Sequence, residues 1–207
     1  MKDFSILIVS YGDPWWRDLA ISRALPSALT QGDNEIVMVH DPDPGISLSR
    51  LRNRAADMAT SESLVFLDAD DELEPGYIDA MRTLDSDVRV PMVRCLSEGP
   101  NETPLPESFE IAPRPFLEGN YIVIGAAIRR QLFYNVGGFD DYETAEDWPL
   151  WIKAWIARAR IASVAGAIYR QHWRPGSRNQ LEHKQYSAIC DRIRNRYTPL
   201  ARKAGLL

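Results

Sequence analysis

Apolar and polar positions follow two periods along this chain. Residues 4–13, FSILIVSYGD, form a nearly continuous apolar run closed by Gly12 and Asp13, the mark of a buried strand. From Trp15 to Leu29 the period changes. Trp16, Leu19, Ala20, Ala24 and Ala28 recur at helical spacing, Pro14 suits the first turn, and Pro26 is expected to kink or tighten the helix. EIVMVHD is a second strand, stopped by Pro42, Pro44 and Gly45. A helix over Ser47–Ala59 comes next, with Leu48, Leu51, Ala55 and Met58 predicted on its buried face. SLVFLD is the third strand, and PGYIDAMRTL opens another helix.

The second half is less regular. DVRVPMVRCL reads as a strand with Pro91 at an edge or bulge. Residues 97–118 hold five of the fourteen prolines and read as a long irregular connection, a length usually reserved for function. YIVIGAAI is predicted as a strand, RRQLFYNVGG as a short helix and EDWPLWIKAWIARA as a strong one. IASVAGAIYRQH returns as a strand, and residues 180–204 as a basic helix. Strands and helices alternating at the start argue for a parallel α/β sheet with right-handed crossovers. Ligands of such sheets bind beyond the carboxyl ends of the strands. The first three strand ends, SYGD, HDPDP and DADD, should therefore converge on one crevice.

Charge sharpens this picture. Residues 1–150 carry 12 Lys and Arg against 27 Asp and Glu, a balance of −15, whereas residues 151–207 carry 12 against 2, a balance of +10. Either the C-terminal segment faces an anion or a basic helix packs beside an acidic body. With 45% hydrophobic residues in 207, a single globular domain is expected. The run Ile6–Val9 is too short for a signal or a span, and two cysteines make no disulfide framework. A cytoplasmic protein, in solution or peripheral to a membrane, is the expectation.

The densest chemistry lies in LVFLDADDELEPGYI, where an apolar strand runs into Asp68, Asp70, Asp71, Glu72 and Glu74. Carboxylates this close repel one another unless a cation or hydrogen-bond donors compensate. A helix–loop–helix calcium loop fails, since its sixth position would be Leu73 rather than glycine and a strand precedes it. An aspartyl-nucleophile phosphatase would place threonine where Glu72 stands. A metal-dependent nucleotide-sugar site is the third reading: Mg2+ or Mn2+ takes one or two carboxylates and leaves positions for phosphate and water.

These motifs together resemble the inverting family 2 glycosyltransferases over nearly the whole chain. SILIVSYGD is similar to the family's first strand and turn, ALPSALTQ to its Ser-x-x-x-Gln helix end, and LSRLRNRAADMA to its Ala-Arg-Asn segment. FLDADDELEPGYI is similar to its metal motif, NVGGFDDYETAEDWPLWIKA to its acceptor-side motif, and IYRQH to its closing strand. Gly12 and His40 depart from the pattern. The resemblance implies a GT-A, Rossmann-like nucleotide-binding single domain with a mixed central sheet flanked by helices. Its parts would be a nucleotide-sugar half over 1–96, the connection 97–118, an acceptor half over 119–176 and the basic helix over 177–207.

The same resemblance implies roles. Ser10, Tyr11, Asp41, Arg52, Asp68, Arg170 and Arg178 would bind a nucleotide-sugar donor, most often a uridine diphosphate sugar. Asp70 and His172 would ligate Mn2+ or Mg2+, with Asp71 as a turn-stabilising neighbour. Asp147 would be the general base, with Glu146 the alternative, and Trp148 would meet the acceptor. The bland alternatives are an Asx turn at Asp41, an N-terminal helix cap at Asp147, and a tryptophan stripe that is simply core. The acceptor stays open among glycan, lipid head group, protein and nucleic acid. A phosphatase-like phosphotransferase and a non-catalytic sugar- or nucleic-acid-binding module are the competing functions.

Overall fold

The computed structural model describes residues 2–97, 116–173 and 183–207. The apolar run at the start forms β1 (Phe4–Tyr11), whose first seven residues are all buried because helices cover both faces. Asp13 caps α1 (Pro14–Ser22), its carboxylate accepting from the Trp15 N–H at 2.8 Å. The expected kink falls at Arg23 rather than at Pro26, separating α1 from α2 (Ala24–Leu29). A proline ring clashes one turn back, so the break sits N-terminal to Pro26 itself.

β2 (Glu35–Asp41), α3 (Leu48–Met58) and β3 (Ser63–Asp68) complete the parallel half, with β2 and β3 on either side of β1. Register sets the crevice: Tyr11 pairs with Asp41, and Val9 pairs with Asp68. The three polar strand ends do converge. The face of α3 is rotated from the one expected. Met58 is exposed, while Arg52 is buried with Leu48, Leu51, Ala55 and Ala56. A charged residue there implies buried partners.

After β3 the chain makes β4 (Glu72–Leu73) and α4 (Tyr77–Arg82), and then β5 (Val88–Ser97). The seven strands described run β2-β1-β3-β6-β5-β7-β4, a mixed sheet. β6 (Ala127–Arg129) is far shorter than the predicted 121–128 and antiparallel to β3. Gly125 explains why: a Cβ there would lie 2.1 Å from the Tyr169 ring, so the backbone before β6 leans on β7 instead of extending the ladder. Pro91 does mark a bulge, where the β5–β7 register shifts between Pro91 and Met92.

α5 (Arg130–Asn135), α6 (Asp147–Ile156), β7 (Ile161–Trp173) and α7 (His183–Lys203) finish the chain. α6 sits between two cores. Trp151 belongs to the sheet core, while Trp148 packs with Ile189, Ile193 and Tyr197 of α7. The arginines of α7 turn onto the acidic body: Arg192 pairs with Glu143 at 3.1 Å and Arg196 with Asp140 at 3.7 Å. Part of the charge asymmetry is thus met within the chain. No described helix is long and apolar enough to cross a membrane.

Candidate active site

The acidic loop after β3 is held from below by α2. Leu73 N–H donates to Ser27 Oγ at 3.1 Å, and Gln31 Nε2 donates to the Glu74 carbonyl at 3.0 Å. Arg23 Nη1 donates to the Asp70 carbonyl at 3.0 Å. The Ser-x-x-x-Gln spacing therefore places both side chains on one helical face, against one turn.

Within the loop the carboxylates separate into different environments. Asp71 is 3% exposed, and its oxygens accept from the His172 N–H at 2.8 Å and the Tyr169 hydroxyl at 2.7 Å. Burial first, then the charges of Asp68 and Asp70, pushes its pKa well above the usual carboxylate range. Asp71 therefore ties the loop to β7. Asp70 keeps a partly exposed side chain, as does Asp68. Glu72 and Glu74 are both paired. Glu72 Oε2 lies 2.6 Å from His172 Nε2, and Glu74 meets both Arg94 and, at 3.1 Å, Arg170. The short β4–β7 ladder, which aligns Glu72 with Arg170, is what turns them inward.

Arg52 joins the two halves of the site. It is 1% exposed, and its guanidinium donates to Asp68 Oδ1 and to Glu146 Oε1, each at 2.5 Å. Burial opposes its charge, but Asp68 and then Glu146 more than offset this and raise its pKa. The planar fork matches this task, since one nitrogen serves each carboxylate. Arg52, expected to help orient the nucleotide, is buried and spends its guanidinium on Asp68 and Glu146. It ties the partly exposed Asp68 at the strand end to the buried Glu146.

Glu146 and Asp147 open α6 without capping it. Glu146 occupies the N-cap position, yet its side chain makes no cap hydrogen bond. Ala145 before it adopts φ 51, a left-handed conformation that a non-glycine residue rarely holds. This kink sends Glu146 to Arg52 and Asp147 to Asn120, whose Nδ2 donates to Asp147 Oδ1 at 3.0 Å. Burial, then the neighbouring Glu146 charge, pushes the Asp147 pKa up to about 6, against the lowering effect of Asn120 and Arg52.

The preceding turn is rigid for its own reasons. Asn53 of α3 pairs with the Phe139 backbone, donating to its carbonyl at 3.0 Å and accepting from its N–H at 2.9 Å. Asp140 accepts from Lys153 Nζ at 3.1 Å and from the Tyr197 hydroxyl. These contacts hold the Gly-Gly-Phe-Asp turn in place rather than facing the crevice.

Other expected donor contacts take different forms. Ser10 is buried and lies 3.0 Å from His40 Nδ1, so its hydroxyl joins β1 to β2. Asp41 does make the Asx turn, accepting from the Asp43 N–H at 3.0 Å. Tyr11 is partly buried at the strand end. Trp148, expected to meet the acceptor, is 1% exposed and donates Nε1–H to the Phe116 carbonyl at 2.7 Å. Arg178 and Arg174, with most of the connection 97–118, lie outside the described residues.

Among the described residues, no group of three or more His, Cys, Asp or Glu is arranged around a common metal position. A Mg2+ or Mn2+ ion that completes its shell with phosphate and water needs only one or two carboxylates. The partly exposed Asp68 and Asp70 fit that demand. His172 fits less directly, since its Nε2 is turned to Glu72. Asn120 carries no pattern that marked it in advance, and Tyr169 stands in the IYRQH segment without having been given a role. Tyr186 of α7 is another such residue, and the Asp147 charge contributes to raising its pKa, after burial and Cys190.

No protein-family model and no curated protein matches the sequence. Solved structures do. S. aureus TarS 1–349 in complex with UDP-GlcNAc aligns with TM-score 0.69 and 18% identity, over 93% of this chain and 65% of that one. The same fragment in complex with UDP aligns with TM-score 0.64 and 19% identity, over 99% and 74%. S. aureus TarS aligns with TM-score 0.65 and 21% identity, over 95% and 43%. At such identities the likeness is one of fold, and the fold is an α/β, GT-A-like single domain.

Proposed function

We propose that this protein transfers a sugar from a uridine diphosphate sugar to an acceptor hydroxyl, inverting the sugar carbon, with Asp147 as general base. The observation that carries this reading is the buried Arg52, which links Asp68 at the donor-facing strand end to Glu146 beside Asp147. One guanidinium thereby sets the distance between the two halves a transferase needs. A carboxylate raised to about 6 is ionised at neutral pH yet basic enough to take a proton. In the step proposed, the acceptor oxygen bonds to the sugar carbon as its proton passes to Asp147. The carbon–oxygen bond to the diphosphate breaks, and its electron pair leaves with the phosphate.

TarS structures hold UDP-GlcNAc and UDP, which supports a uridine diphosphate sugar and makes UDP-GlcNAc the first donor to test. Asp70, with Asp68 beside it, would hold Mn2+ or Mg2+, and His172 is the further candidate ligand. Such an ion supplies positive charge against the diphosphate as it leaves. The experiment is a thermal-unfolding panel of nucleoside diphosphate sugars with Mn2+ or Mg2+. UDP-GlcNAc at about 100 times its Kd should stabilise by about 2.7 kcal/mol. No shift with any uridine diphosphate sugar, at millimolar ligand with either ion, would remove the donor assignment.

A further inference from the structure

Asn120 has one polar atom engaged and one stranded. Its Nδ2 donates to Asp147 Oδ1 at 3.0 Å, while its Oδ1 is buried and, among the described residues, has no hydrogen-bond partner. An ionised carboxylate only accepts, so the amide nitrogen must face Asp147 and the carbonyl must turn away from it. Orphaned buried acceptors are rare in folded proteins, and one beside a reactive carboxylate marks where a ligand's donor fits.

We infer that Asn120 is a positioning residue for Asp147 that also reads the acceptor. Its N–H holds one carboxylate oxygen, leaving the other for the reacting hydroxyl. Its carbonyl accepts from a second donor on the acceptor, adjacent to the reacting oxygen as in a vicinal diol. This rests on the transferase reading above and adds the feature by which an acceptor is selected. Among the described residues, the ionisable groups facing Asp147 are Glu146 at the N-cap of α6, Arg52 of α3 and Tyr186 of α7.

The test has two readouts. The first is the Asp147 carboxyl titration, followed by 13C NMR in aspartate-labelled protein and assigned with Asp147→Asn. The second is the ratio of transfer rates from UDP-GlcNAc to ethane-1,2-diol and to ethanol, a ratio insensitive to how much of Asp147 is ionised. Asn120→Ala should raise the Asp147 midpoint and lower the diol preference by about tenfold, the equivalent of one neutral hydrogen bond. Asn120→Asp keeps the shape, and so folds where an alanine hole does not. It should raise the midpoint further but keep the preference, since an accepting oxygen remains. An unmoved midpoint in both variants, or a diol preference that survives Asn120→Ala, overturns the proposal. A parent protein that neither binds nor turns over any uridine diphosphate sugar overturns the transferase reading and with it the acceptor half, while the titration still decides the pairing.

Discussion

Replacing Arg52 with methionine keeps an apolar stem of similar length and removes the guanidinium that joins two carboxylates. The Glu146 side chain, only 6% exposed, loses its counter-charge in a site water does not reach, whereas Asp68, at 31%, can rehydrate. Removing one partner of a buried ion pair costs about 3–5 kcal/mol. With one of the two carboxylates able to recover, the lower end, about 3 kcal/mol, is expected. The guanidinium also lies 5.5 Å from the Phe139 ring centroid, a contact worth about 2 kcal/mol when desolvated as here.

The loss should depend on pH. Without Arg52, the folded-state pKa of Glu146 rises above its unfolded value, so the folded protein binds the extra proton and is stabilised by acid. Arg52→Met should therefore destabilise more at pH 8 than at pH 5. Urea unfolding at both pH values, extrapolated linearly to water, measures this. The double variant Arg52→Met/Glu146→Gln should recover much of the loss, because residues sharing a network are not additive. Arg52→Lys should not rescue fully, since an ammonium cannot fork to two carboxylates. A loss under about 1 kcal/mol at pH 8, or strictly additive single losses, would refute the buried-bridge argument.

Asp147→Asn should stabilise the fold at pH 7, because the folded pKa of about 6 lies above the ordinary 3.8 and ionisation weakens the native state. The sign is that of a raised carboxylate: the gain should fade as pH falls through the window from about 6 to 3.8, read as converging urea midpoints. Asp70→Ala should leave the melting temperature without ligand unchanged while abolishing the Mn2+-dependent part of UDP-GlcNAc binding, checked by calorimetry with and without the ion. Gly125→Ala puts a Cβ 2.1 Å from the Tyr169 ring, and by displacing that ring should destabilise by about 1–3 kcal/mol in urea unfolding.

Periodicity makes the parallel half of the fold legible. β1, β2 and β3 carry apolar runs with polar ends, and their register brings Tyr11, Asp41 and Asp68 together as the strand-end argument requires. The antiparallel return is less so. β6 keeps three residues because a ring from β7, more than forty positions away, occupies the space beside Gly125. Local pattern carries no such information. Arg52 obeys the same logic: nothing within RLRNR distinguishes it from Arg50 and Arg54, and its burial depends on Asp68 and Glu146, 16 and 94 residues distant. Asp147 stands out by its motif, but its environment depends on Asn120, a lone polar residue in an irregular stretch. The pairing of Glu72 and Glu74 has no local signal, because a two-residue strand leaves no period to detect.

The general-base assignment is most exposed to one measurement: UDP release from UDP-GlcNAc with Mn2+, in the parent protein and in Asp147→Asn. The parent should release UDP slowly with water as acceptor, at a rate that rises with pH as Asp147 ionises near 6. The variant should bind the donor with an unchanged melting shift and release UDP about 10² to 10⁴ times more slowly. Release at the parent's rate from folded, donor-bound Asp147→Asn would contradict the role given to this carboxylate.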